Sequence, residues 1–229
     1  MSTMANDTLA SFIAPASTMS LTAARIAFAG GATSLALLAV LHLLRRDLAP
    51  SWHMVSEYAV GAHGWVMGLC FLALAIGCAS LFVVVRRAAT TITGKIGLAS
   101  LLAAVVGLAL ASIFPMDPIT VKPENATTSG KMHGVAGMIG IPSLVIAAVI
   151  LSYVLRRHPT WAPVRLPLLT MAHLNWISVT LMFAFLGILM KEGTAGLGGL
   201  IGYANRLLML AYCGWVMVTA WPVLRGGRG

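Results

Sequence analysis

Between two long apolar runs, residues 47–65 read DLAPSWHMVSEYAVGAHGW and bring two histidines, two acids, a tyrosine and two tryptophans together. His53 and Glu57 stand four apart, a spacing that puts them on one face of a helix with Ser56 and Tyr58 beside them. His63 follows where the next apolar run begins. Two later stretches carry similar groups: FPMDP (Phe114 to Pro118) holds Asp117, and KMHGVAG (Lys131 to Gly137) holds His133. Near the end of the chain Asn205 and Arg206 lie about a turn and a half into a further apolar run. A guanidinium at such a depth is costly unless it is paired, and Glu57 and Asp117 are the expected partners.

These residue types suit three kinds of chemistry. Carboxylates and imidazoles together serve acid–base catalysis, as in an intramembrane hydrolase or lipid-modifying enzyme. Zinc catalysis needs about three protein ligands and an open position, and His53, His63 and His133 with Asp117 are the candidates. The chain has no HExxH or HxxxH pair to strengthen that reading. Haem held by His63 and His133 is the second cofactor to consider, and nothing beyond their placement supports it. In the third reading the acids and Arg206 simply latch the 47–61 segment onto the helix ends. The glycines from Gly193 to Gly202 lack the Lys-Ser/Thr of a phosphate-binding loop and read as packing and turn residues.

The elements that must position these groups are membrane helices. Of the 229 residues, 59% are hydrophobic and 9% charged, and the mean hydropathy is +0.91. Soluble domains carry about 25% charged residues. At about 20 apolar residues per span, the chain is taken up by an all-α bundle of six transmembrane helices, near 22–44, 62–85, 92–114, 132–155, 168–190 and 201–224. Residues 1–21 read as a polar tail, and the transmembrane domain covers 22–225. The net charge of +9 does not indicate nucleic acid, because the basic residues stand in pairs at the ends of apolar runs. Cys70, Cys78 and Cys213 all lie within those runs and read as small buried residues.

Six spans put both termini on one side. That side carries nine basic residues from Arg25 to Arg228, and the other carries six, among them Arg45 and Arg46. The bias predicts cytoplasmic termini. Five of the six acids, and His42, His53, His63 and His133, fall at the opposite end. Polar chemistry is therefore gathered at one rim of the bundle.

In the motifs HMVSEYAVGAHGW (His53 to Trp65), FPMDP and KMHGVAG, and in helix count, the chain resembles the prokaryotic membrane family known as domain of unknown function nine-nine-eight, from about Ala23 to Val223. The resemblance implies a six-helix protein of the prokaryotic cytoplasmic membrane and singles out Ser56, Glu57, Asp117 and His133. It lends no reaction. The expected function is binding of a lipid or small amphiphile in an outward-facing polar pocket roofed by residues 47–61, in association with transport. The alternatives are the metal-dependent enzyme and a structural subunit without a ligand. The expected partners are the bilayer and the bound lipid or amphiphile, and the sequence does not set the oligomeric state.

Overall fold

The structure is a computed structural model and describes residues 18–194 and 196–226. Six helices follow one another: α1 Thr18–Leu44, α2 Gly64–Val85, α3 Ile92–Ile113, α4 Thr128–Leu155, α5 Arg165–Glu192 and α6 Ile201–Gly226. All six are long and apolar enough to cross a membrane. The shortest have 22 residues, about 33 Å at 1.5 Å per residue, against a hydrocarbon core of about 30 Å. Most of the expected N-terminal tail lies outside the described residues, and α1 already begins at Thr18.

Local chemistry sets the helix ends. Thr91 and Thr127 cap α3 and α4, their hydroxyls accepting from Gly94 N at 3.1 Å and Gly130 N at 2.9 Å. The cap on α4 draws the polar Thr128–Lys131 turn into the helix, which starts before the expected Met132. α5 starts at Arg165, ahead of Leu168, because Pro167 sits in the first turn where its missing N–H has no partner to lose. It stops at Gly193, whose φ of +74° favours glycine.

Neighbouring helices meet through small residues, as expected where lipid removes the hydrophobic drive between spans. α1 and α2 cross at Gly30 and Gly77: a Cβ on Gly30 would lie 2.6 Å from Ala73 O and 2.8 Å from Gly77 Cα. α3 and α4 cross at Gly107 and Gly140, where a Cβ on Gly107 would stand 2.5 Å from Gly140 N. α6 is packed against α1, α2 and α5. It reaches α4 by two hydrogen bonds, Tyr212 Oη to Ile141 O at 2.9 Å and Trp215 Nε1 to Ser152 Oγ at 2.9 Å.

The chain reversals place residues 45–63, 114–127 and 193–200 at one end of the bundle, the polar end. There the amphipathic segment expected between the first two spans is not an α-helix, and its regular part is a single 3₁₀ turn, Val55–Ala59. So short a stretch cannot recover the cost of nucleating an α-helix, and side chains hold it instead. It is nonetheless buried: Val55 is 1%, Glu57 2% and Tyr58 1% exposed.

Candidate functional site

Glu57 is the first anchor of this cap segment. Its Oε2 accepts from Met54 N at 2.7 Å, folding the turn back on itself, and its Oε1 accepts from Ile119 N at 3.0 Å. One buried carboxylate thereby ties the turn to the loop that follows FPMDP. Backbone N–H groups are what a buried carboxylate needs to offset its lost hydration. His53 Nδ1 also lies 3.2 Å from Glu57 Oε1, but it is not aligned for a hydrogen bond. The His53 ring stacks on Trp52, with centroids 3.7 Å apart.

Arg206 is the second anchor, and its partners are not the expected acids. Its Nε donates to His42 Nε2 at 2.7 Å, Nη1 to the carbonyls of His53 at 2.7 Å and Gly202 at 3.0 Å, and Nη2 to Tyr58 Oη at 2.8 Å. Glu57 is already bonded to the backbone and Asp117 faces another helix. Among the described residues no carboxylate pairs with Arg206. The geometry also fixes the tautomer of His42. Its Nδ1 lies 2.7 Å from Leu38 O and carries the proton, so Nε2 is free to accept from the guanidinium.

Backbone contacts complete the attachment. Val55 N donates to Asn205 Oδ1 at 2.8 Å, and Gly202 N donates to Ser51 O at 2.7 Å. Gly202 is required here, since a Cβ would lie 2.7 Å from the carbonyls of both Ser51 and His53. At the far end of the segment Arg45 Nη1 donates to Val60 O. Arg45 also binds Asp47, with Nη2 to Oδ2 at 2.8 Å. That hydrogen bond holds the Asp47 carboxyl below its ordinary range and the Arg45 guanidinium above its own.

Asp117 does separate work. Its oxygens accept from Thr127 N at 2.8 Å and from Thr127 Oγ1 at 2.9 Å, positioning the residue that caps α4. It stands at the positive end of that helix, where an anion is favoured. His63 is exposed beside the start of α2 and makes no capping bond.

His133 faces a cavity inside the bundle. Its Nδ1 donates to Phe114 O at 2.7 Å, leaving Nε2 as the ring's acceptor. It lines a cavity of about 60 Å³ beneath the cap segment, together with Ser56, Asn205 and an apolar wall that includes Phe71, Leu108, Gly137, Gly140, Ile141, Leu208 and Tyr212. The singled-out residues therefore divide. Ser56, His133 and Asn205 reach the cavity, while His53, Glu57, Tyr58 and Arg206 hold the cap. Asp117 and His63 belong to helix ends. Among the described residues no three His, Cys, Asp or Glu side chains gather as metal ligands. The proposed zinc set of His53, His63, His133 and Asp117 is dispersed because each occupies a different part of the rim. A haem between His63 and His133 meets the same objection, since one is on the surface and the other is bonded to a backbone carbonyl inside.

Residues 28–222 match the family model described as protein of unknown function (DUF998). The chain belongs to that family. No curated protein and no solved structure matches it. Of the positions singled out by the resemblance, Ser56 and His133 line the cavity, Glu57 ties the cap down, and Asp117 orders the start of α4. Sequence reasoning read Gly202 as a packing residue, as the structure has it, but missed the bond of His42 to Arg206 and the Ile119 amide. For His42 a signal existed, because a histidine inside an apolar span needs a reason to be there. The Ile119 amide acts through the backbone and leaves no side-chain signal.

Proposed function

We propose that this membrane protein binds the polar end of a lipid or small amphiphile in the cavity under the cap segment. The observation that supports the reading is His133 Nε2, an acceptor left over on a residue that lines a mostly apolar cavity together with Ser56. A ligand group able to donate to the imidazole, such as a hydroxyl or amine, suits that position. On the same measure a single water needs about 10–15 Å³, so about 60 Å³ holds a few waters or an end group and not a whole lipid. An alkyl chain suits the apolar wall of Gly140, Ile141 and Leu144. With the termini on the more basic, cytoplasmic side, the cavity opens toward the outer rim of a prokaryotic cytoplasmic membrane.

A structural subunit is the second reading, favoured by the complete use of both Glu57 oxygens inside the fold. Native mass spectrometry of gently extracted protein separates the two. Binding requires an adduct on the wild type that is lost in Gly137→Leu, which fills the cavity from α4. A wild type without an adduct leaves the structural reading. Reporter fusions at each terminus test the orientation.

A further inference from the structure

Among the described residues no carboxylate neutralises the charge of Arg206. Its four hydrogen bonds go to His42, Tyr58 and two carbonyls, all of them uncharged acceptors in this arrangement. One Nη2 hydrogen is left over. Arg206 is set about 7 Å along α6 from its first residue. α6 has 26 residues, about 39 Å against a hydrocarbon core of about 30 Å, so the guanidinium falls near the edge of the hydrocarbon. A cation at that depth without a counter-charge is costly.

Beside Arg206 a groove of about 400 Å³ runs between α1 and α6, lined by Leu35, Leu38, Ala39 and His42 on one helix and Arg206 and Leu210 on the other. It has a basic group at the headgroup end and apolar walls below. Ala39 and Leu210 are exposed on the face that the bilayer must cover. We propose that this groove seats an anionic phospholipid of the bilayer, its phosphate against Arg206 and one acyl chain along Leu35, Leu38 and Leu210. Arg is suited to phosphate because its planar fork matches the anion, and a charge-assisted hydrogen bond is about twice as strong as a neutral one. This site is lined by residues other than those of the cavity under the cap and does not depend on the reading of that cavity.

The test uses the full chain in neutral detergent, titrated with phosphatidylglycerol, with diacylglycerol of the same chains, and with glycerol phosphate. Phosphatidylglycerol is expected to raise the melting temperature and to bind roughly tenfold or more tighter than diacylglycerol. Glycerol phosphate, lacking chains, is expected to give no shift at the same concentrations. Ala39→Trp fills the groove while leaving Arg206 and all of its hydrogen-bond partners in the sequence, and it should abolish the preference while melting unassisted near the wild type. Leu210→Trp, on the other wall, provides the same reading should Ala39→Trp not accumulate. Gly137→Leu should keep the preference, which separates this site from the cavity. Equal effects of phosphatidylglycerol and diacylglycerol in the wild type overturn the proposal by themselves. So does a full shift with glycerol phosphate, or a preference retained in a folded groove-filled variant.

Discussion

Glu57→Gln is the substitution that isolates what the buried carboxylate contributes. Glutamine keeps the volume and one acceptor oxygen, but it sets an NH₂ group against either Met54 N or Ile119 N. One of the two bonds, now 2.7 and 3.0 Å long, is lost, and its backbone donor is left buried. A hydrogen bond to a charged acceptor contributes about 1.5–3 kcal/mol, and stranding its partner adds to the cost. The expected loss is about 3 kcal/mol, or about 6–12 °C in melting temperature for a chain of this size. Scanning fluorimetry in detergent measures the shift. Limited proteolysis should show new cleavage near residues 53–60 and 117–121, the two segments that Glu57 joins. Melting within about 1 °C of the wild type, with no new cleavage, would mean that the carboxylate is not holding the cap and that the latch described above is mistaken.

Other perturbations follow from the same contacts. Tyr58→Phe removes one donor–acceptor pair with Arg206 and should cost about 1–3 kcal/mol in melting assays. Gly107→Ala should force α3 and α4 apart at Gly140 and cost about 2 kcal/mol or more, read as lower melting and lower yield. Gly202→Ala is expected to unseat residues 50–53 and raise proteolysis there more than it lowers global melting. Asp47 has a folded pKa below its unfolded value, so its share of stability is present above about pH 4 and is lost as pH falls through the folded value. Cleavage near residues 45–50 should therefore be flat from neutral pH down to about 5 and rise only below about 4.

Much of the fold was legible because hydropathy and helix length report directly on a bilayer. The six spans stand in the sequence as apolar runs, and the segments that carry most of the acids and histidines do meet at one end of the bundle. What the sequence could not disclose was which polar group meets which. Arg206 was expected to pair with an acid because charge suggests it, yet its bonds go to two backbone carbonyls, the Tyr58 hydroxyl and the neutral face of His42. Glu57 bonds two main-chain amides, and amides carry no residue-specific mark. The His53–Glu57 spacing suggested a helix, whereas the segment is a 3₁₀ turn whose shape is set by Glu57 reaching back to Met54. Periodicity reads side chains along a regular backbone and is silent where side chains build the backbone instead.

The central claim is that residues 51–60 form a fixed cap on the polar end, anchored by Glu57, Asn205 and Arg206. Hydrogen–deuterium exchange of the full chain in nanodiscs tests it most directly, at the amides of Met54, Val55 and Ile119. These have side-chain acceptors at 2.7, 2.8 and 3.0 Å, and slow exchange comparable with the helix ends is the predicted result. Exchange as fast as that of the exposed loop at residues 120–122 would contradict it.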